Sequence, residues 1–119
     1  MLDPISTQLD RYLTLVSQRQ KLVASNVANA DTPGYQTQDF NFEDQLRAAL
    51  QSPGGVTPSS PAISAVPGLR VKNDGNNVDL DREARLLSEN ALRFNMATNL
   101  LRTELKNLHM AISGGGGSV

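Results

Sequence analysis

The feature that most constrains this chain is a long stripe of mostly apolar residues near its C-terminal end. These residues recur at alternating steps of four and three positions, and no Pro or Gly interrupts them. A helix of this span would be about 50 Å long at ~1.5 Å per residue, well beyond the average globular helix. A heptad pattern sustained in this way indicates a helix that packs along a partner helix. The stripe, here named the seam, comprises Leu80, Ala84, Leu87, Ala91, Phe94, Thr98, Leu101, Leu105, Leu108 and Ile112.

A second amphipathic helix is predicted at the N-terminal end. Pro4 suits the first helical position, where its missing N–H costs nothing. Apolar residues then step by fours and threes, with Arg19 and Gln20 as the one interruption. Residues 31–34 end the helix, because Pro33 cannot continue it and Pro-Gly suits the centre of a type II turn. The apolar stripe of this helix comprises Ile5, Leu9, Tyr12, Val16, Val23, Val27 and Ala30.

The middle of the chain is predicted to be irregular. Asn41 and Asp44 have the spacing of a capping box, so a short helix is expected from about Phe42 to Leu50. Pro and Gly recur from 53 to 68 among Ser and Thr, which indicates a flexible linker over 51–78. Within that linker, Asn73-Asp74-Gly75 is typical of a reversal, which allows a small hairpin that brings Val71 near Val78.

These elements predict an all-α fold in which two long helices, at about 4–30 and 79–112, pack as an antiparallel coiled-coil-like pair. Aligning the start of the first helix with the end of the second places Leu9 near Leu105 and Val27 near Leu87. The expected parts are a helix and turn (1–35), an extended segment and short helix (36–50), the linker (51–78), the heptad helix (79–113) and a disordered Gly-rich tail (114–119).

Composition excludes several classes of function. The 119 residues carry a net charge of −1, so no general attraction to nucleic acid or to an anionic membrane is expected. Cysteine is absent, which excludes thiolate catalysis and disulfides. No run approaches the ~20 apolar residues that cross a bilayer. The N-terminus also lacks the basic and apolar regions of a secretory signal, so any export is expected to use another route.

The titratable residues do not favour an enzyme or a metal site. His109 is the one histidine and follows a seam residue on a predicted helix. An acidic cluster lacks the ligand spacing of a calcium loop and suits the first turn of the long helix, where carboxylates complement the helix dipole. We therefore expect no catalytic residue, no cofactor and no metal; the acidic cluster comprises Asp74, Asn76, Asp79, Asp81 and Glu83.

The end of the first helix is rich in small residues and amides, from Ala24 to Ala30. Small residues permit close approach of backbones, and the side chains of Asn26 and Asn29 can donate and accept hydrogen bonds across a contact. This composition favours tight packing against neighbours. The predicted assembly surface therefore combines the two stripes and these amides: Ile5, Leu9, Tyr12, Val16, Val23, Asn26, Val27, Asn29, Leu80, Leu87, Phe94, Leu101, Leu105, Leu108 and Ile112.

Two stretches carry a resemblance to a known family. Residues 26–35, which read NVANADTPGY, are followed by Asp39-Phe40 and Phe42-Glu43. Residues 77–83, which read NVDLDRE, open the long helix. Together they resemble the signature of the bacterial flagellar rod and hook proteins, and most of all a short proximal rod protein. The motif positions carried over are Asp31, Thr32, Pro33, Gly34 and Tyr35. The Gly-rich tail departs from the family, whose long helix usually ends close to the chain terminus.

The resemblance implies a non-catalytic structural subunit of the basal-body rod, the drive shaft that transmits torque from motor to hook. It implies helical polymerisation through the terminal helices, with copies of itself, other rod proteins and membrane-ring adaptor proteins as partners. It also implies export through the flagellar type III apparatus without a cleaved signal. Two alternatives stay open: a soluble helical adaptor or export chaperone of a type III system, and the second short proximal rod protein of the same machine.

Overall fold

The computed structural model describes residues 4–51 and 61–117, with side chains up to Gly114. Three helices and one pair of short strands make up this part of the chain, and the all-α prediction is confirmed. In chain order the elements are α1 (Pro4–Ala28), β1 (Gln38–Asp39), α2 (Phe42–Gln51), β2 (Ser64–Ala65) and α3 (Leu80–Gly117).

The two long helices pack together and run antiparallel, as predicted. Near the end of α1 and the start of α3, the Asn26 amide donates to the Glu83 carboxylate at 3.4 Å. Further along, the Asn90 amide donates to Gln20, also at 3.4 Å. These two bonds fix the register between the helices.

The register differs by about one helical turn from the sequence-based expectation, which fixed each pair only to within a turn because Arg19 and Gln20 interrupt the first stripe. When the register given by the bonds of Asn26 and Asn90 is extended along both helices, Leu9 lies level with Leu101. The sequence predicted Leu105 at this place. Apolar stripes of equal period fit one another almost equally well at each turn. The hydrogen-bonded polar pairs between the helices favour one of these registers. Periodicity does not show which polar residues pair, so the register could not be predicted from it.

Local capping explains where the helices begin. The Asp44 N–H donates to the Asn41 side chain at 3.0 Å, which confirms the predicted cap of α2. The N–H groups of Asp81 and Arg82 donate to the Asp79 carboxylate at 3.0 and 3.2 Å, so Asp79 caps α3. The far end of α3 reaches Gly117, five residues beyond the predicted end at 112. Adding a hydrogen bond to an existing helix offsets part of the entropic cost of each Gly there.

The region after 60 differs from the predicted linker. Ser64 and Ala65 pair antiparallel with Asp39 and Gln38 in place of the expected Val71–Val78 hairpin. The reversal itself is present, with the Gly75 N–H bonded to the Lys72 carbonyl at 2.9 Å and Gly75 at φ +86°. No strands flank it within residues 66–79, and Val71 is exposed whereas Val78 is buried. Residues 52–60 of the predicted linker lie outside the described residues, as do 118 and 119 of the predicted tail.

A small aromatic core lies on one side of α1. Phe40 and Phe42, which flank the start of α2, pack against Leu15 and Val16 together with Ala49. The ring of Tyr12 meets Phe42 edge-on at 5.8 Å, and the Arg93 guanidinium lies 4.5 Å from the Phe42 ring centre. Burial raises the pKa of the Tyr12 phenol, and the charge of Arg93 partly opposes that rise. This core fixes α2 and the 36–42 segment against the helix pair.

The molecule is a rod of 73 × 25 × 17 Å. Its radius of gyration of 18.8 Å exceeds the roughly 13.5 Å expected for a compact chain of this length. In the observed register Pro4 lies level with about Lys106, so the last turns of α3 extend beyond the start of α1. Among the described residues, no helix combines the length and the apolar character needed to cross a membrane.

Candidate assembly interface

Most of the seam lies on the surface of α3. The exposed fractions of Leu80, Leu87 and Phe94 are 53, 45 and 48%, and those of Leu105 and Ile112 are 41 and 67%. Large apolar side chains in a regular row on one flank of a helix are seldom left in water by a protein that works alone. The seam is therefore a candidate surface for another molecule.

The face of α3 that contacts α1 is a different and more polar one. Its buried members are Glu83, Leu86, Asn90 and Ala97, and Arg93 is half-buried. We expected the seam to pack along α1, and that expectation is wrong for most of its length. Leu101 and Leu108 alone among its long aliphatic residues are half-buried. Periodicity reveals that α3 has an apolar stripe, but it does not distinguish a stripe that meets α1 from one that meets another molecule.

The predicted residues of α1 divide between buried and exposed positions. Val16 and Val23 are buried, as is Asn26, whereas Ile5 and Val27 are exposed. The half-buried members are Leu9, Tyr12 and Asn29. The Arg19-Gln20 interruption of the stripe marks polar contacts, because Arg19 binds Asp39 at 3.0 Å and Gln20 accepts from Asn90.

A groove of about 370 Å³ runs between α1 and α3. It is lined on the α1 side by Val16, Ser17 and Gln20, and on the α3 side by Leu87, Asn90, Ala91, Phe94 and Asn95. The seam thus forms one wall of the groove. None of these lining residues is charged, so the groove suits an uncharged, largely apolar partner.

A second set of exposed apolar residues lies on the opposite flank of α3. Leu92, Met96 and Leu100 follow each other at steps of four, with exposed fractions of 63, 57 and 56%. A helix that is apolar on several sides is typical of one that becomes buried within a larger structure. Among the described residues, α1 is the helix that packs along α3 over this length, and Phe42 at the start of α2 adds its contact with Arg93.

The predicted turn at Asp31–Tyr35 has the expected geometry. The Tyr35 N–H donates to the Thr32 carbonyl at 3.2 Å, and Gly34 has φ +76°, as the third residue of a type II turn requires. The turn lies against the reversal at Gly75, where a Cβ on Gly75 would be 3.3 Å from the Gly34 Cα. The Gly34 N–H also donates to the Asp74 carbonyl at 2.9 Å. The motif residues therefore hold two loops together, and Asp31 through Gly34 themselves are exposed.

Asn26 connects the two stretches that carry the family resemblance. Its side-chain oxygen accepts from the Tyr35 hydroxyl at 2.8 Å and from the Gln38 N–H at 3.1 Å. Its amide nitrogen donates to the Gln38 carbonyl at 2.9 Å and to Glu83 at 3.4 Å. One buried amide therefore links the end of α1, the segment after the turn and the start of α3.

Asn76 and Asn77, just before α3, also bind the end of α1 and the segment that follows it. The Asn76 amide donates to the carbonyls of Asn29 and Thr32 at 2.9 and 2.8 Å. The Asn77 side chain accepts the Thr37 N–H at 2.7 Å. Sequence reasoning missed both residues, although the concentration of amides at 26–29 and 76–77 was a signal that these two stretches could bind each other.

A charged group lies beside the amides. The Asp39 carboxylate binds Arg82 at 2.6 Å and Arg19 at 3.0 Å. Arg82 also binds the fully buried Glu83 at 2.7 Å. Glu83 lies in the first turn of α3, as expected. It is also an internal contact, which the sequence did not predict, because its side chain is buried and paired with an arginine.

An elongated helical pair with an apolar stripe open to a neighbour is the architecture of a subunit that assembles end to end or side by side with others. Comparison with known proteins agrees with this class. The sequence model described as flagella basal body rod protein matches residues 13–36, which contain the whole turn motif from Asp31 to Tyr35.

Whole-chain relatives extend the match. The flagellar basal body rod protein FlgB of Salmonella typhimurium is 34% identical, over 97% of this chain and 99% of its own length. The Escherichia coli FlgB is 33% identical over the same shares, and the Borreliella burgdorferi FlgB is 26% identical over 86% of this chain and 90% of its own. The chain belongs to the FlgB family of flagellar basal body rod proteins.

Proposed function

We propose that this chain builds the proximal part of the flagellar rod by helical polymerisation through α1 and α3. The observation that carries the proposal is the exposed seam, with Leu87 and Phe94 open on the flank of α3 beside α1. Full burial of an exposed side chain of this kind contributes about 1.5–3 kcal/mol. Since Leu87 and Phe94 are about half exposed, covering the rest stabilises an assembly by about half of that each. Family membership makes the chain a structural subunit of the basal-body rod, and the seam supplies a physical reason for it to polymerise.

We propose that the partners of this chain bind the same exposed seam. Other rod components are partners of a basal-body rod subunit, and we assign contacts to copies of the chain itself and to the membrane-ring adaptor proteins. A contact between unlike surfaces repeats without closing, and so produces a filament. Membership of a flagellar rod family supports export through the flagellar type III apparatus.

The alternative of a soluble adaptor or export chaperone is not favoured. The relatives that match nearly the whole chain are named as basal body rod proteins. The exposed apolar flanks of α3 also suit a subunit with several neighbours better than one that stays soluble in a closed pair.

The test is a charge placed on the seam, Leu87→Asp, with Ser88→Asp as the matched control. Both positions are exposed, but Ser88 lies off the seam. We expect Leu87→Asp to be exported and to fold, yet to be absent from purified basal bodies, because a buried charge costs several kcal/mol. Cells with this variant should not swim, whereas cells with Ser88→Asp should.

Three measurements separate assembly from folding: circular dichroism of each purified variant, immunoblots of exported protein, and immunoblots of basal bodies. Normal incorporation of folded Leu87→Asp would contradict the proposed role of the seam.

A further inference from the structure

We propose that the groove between α1 and α3 binds the C-terminal end of α3 from a second copy of the chain. This inference rests on the proposed function and adds to it the two surfaces in contact and their register.

The groove has the chemistry of a site for an uncharged helix. Val16, Leu87 and Phe94 provide apolar walls, and Gln20 and Asn90 provide amides. Asn90 is only 2% exposed, and its side-chain oxygen accepts no hydrogen bond. Buried acceptors are normally paired. A donor brought in by an incoming helix would pair this oxygen after a small rotation of the amide.

The end of α3 matches this groove in charge and polarity. Between Asn107 and Gly114 no Lys, Arg, Asp or Glu occurs, whereas the two turns just before it carry Arg102, Glu104 and Lys106. The segment presents Met110 and Ile112, both exposed, together with the donors of His109 and Ser113. In the observed register it extends past the start of α1, so no part of α1 covers it. Apart from the half-buried Leu108, its apolar side chains are therefore open to another copy.

The heptad pattern restricts the contact to shifts of whole heptads, and a shift of three places residues 107–114 beside residues 86–93, where α3 lines the groove. A shift of three heptads aligns seam with seam, because both stretches then have the same steps of three and four. The shift corresponds to about 32 Å along the helix at ~1.5 Å per residue. It also brings the glycines that follow Ser113 past the Phe94 ring, where a small residue leaves room. The aligned pairs are Leu105 with Ala84, Leu108 with Leu87, and Ile112 with Ala91.

Such a contact joins different surfaces of identical subunits that point the same way. The C-terminal end of α3 in one copy occupies the groove of a second copy. The groove of the first copy stays free and can bind the end of α3 from a third. This heterologous arrangement does not close on itself.

The test uses the absence of cysteine from the chain. Two single-cysteine variants, Ala91→Cys and Ile112→Cys, are expressed together in cells that lack the normal protein, and basal bodies are isolated and mildly oxidised. Each chain has one thiol, so every disulfide joins two copies, and a disulfide requires Cα atoms within about 7 Å. Mass spectrometry of the linked peptides identifies the pair. We expect the 91–112 disulfide to dominate.

The matched control replaces Ala91→Cys with Leu92→Cys. Leu92 is the next residue, is 63% exposed and lies on the opposite flank of α3. Its disulfide with Ile112→Cys should form at least tenfold less often.

Three results would overturn the inference. The first is a 91–112 disulfide that is no more frequent than the 92–112 disulfide, and the second is a dominant 112–112 disulfide. The third is an Ala91→Cys thiol that cross-links only to a cysteine introduced into another rod protein. In each of these cases both variants are present in basal bodies, so the proposed function stands. Absence of both variants from basal bodies, despite export and normal folding, would instead count against the proposed function.

Discussion

At the scale of single residues, Asn26 contributes more to this structure than its type suggests. The helix propensity of Asn is poor, and in the last turns of a helix it is usually a solvated or capping residue. Here the side chain is 1% exposed and makes four hydrogen bonds, to Tyr35, to Glu83 and to both backbone groups of Gln38. Its role is to hold the segment after the turn against both long helices.

We expect Asn26→Ala to lower the free energy of unfolding by about 3 kcal/mol, because it leaves the Gln38 backbone groups without partners in a buried place. The midpoint of thermal unfolding should fall by roughly 15 °C. Circular dichroism at 222 nm during heating gives this midpoint.

The control is Asn107→Ala, which removes the same side chain from an exposed position of α3. It should leave the midpoint nearly unchanged. Equal midpoints for the two variants would mean that the Asn26 bonds do not stabilise the fold.

The sequence predicted those residues whose partners are close in the chain. The Pro33-Gly34 turn and the Asn41 cap each depend on groups within a few positions, and both were identified correctly. The pairing of Asp39 with Arg82 joins residues 43 positions apart, and nothing in the local pattern indicates it. By contrast, Arg85 and Glu89 lie four positions apart on α3 and pair at 3.6 Å, a contact within one helix.

At the scale of elements, the sequence predicted where each helix begins and ends better than it predicted how the helices pack against each other. Capping residues and breakers fix the ends of α1 and α2 to within about two residues. The direction of α3 relative to α1 followed from the connection between them. The register did not, because it depends on the polar pairs Asn26–Glu83 and Gln20–Asn90.

The observed register makes a prediction that distinguishes it from the sequence-based one. The double variant Leu9→Cys/Leu101→Cys should form a disulfide within one chain, since the two positions are level in the helix pair. Leu9→Cys/Leu105→Cys should cross-link much less, because a shift of one turn moves the Cα about 5.4 Å along the helix. Mild oxidation of dilute protein, followed by a gel without reductant, measures both.

Preferential cross-linking of the 9–105 pair would show that the register inferred from the sequence was correct. Disulfides between chains alone, in dilute solution, would contradict the packing of α1 on α3.

The sheet is the element that sequence reasoning missed. A strand of two residues, such as Ser64-Ala65, has too few side chains to produce an alternating pattern. Its pairing with Gln38-Asp39 is fixed by the loops around it, with a further bond from the Val66 N–H to the Thr37 carbonyl at 3.0 Å. Pro and Gly near 61–68 gave the correct indication of irregular chain, yet irregular chain can still make specific contacts.

At the scale of the whole molecule, the division of α3 into two faces connects the fold to assembly. The face of Glu83 and Asn90 is polar and matches α1, so it holds one subunit together. The seam with Leu87 and Phe94 is apolar and lies open beside it. A chain built in this way gains further apolar burial when subunits meet, and burial of apolar area is the main favourable term in association.

The measurement that tests this account most directly is the reactivity of a thiol on the seam before and after assembly. In Leu87→Cys, a maleimide reagent reacts with the one thiol of the chain. We predict rapid labelling of the isolated subunit and at least tenfold slower labelling in intact basal bodies, with full labelling restored after the basal bodies are dissociated in denaturant. Equal labelling of isolated and assembled Leu87→Cys would show that the seam stays in water in the rod, and would contradict the account.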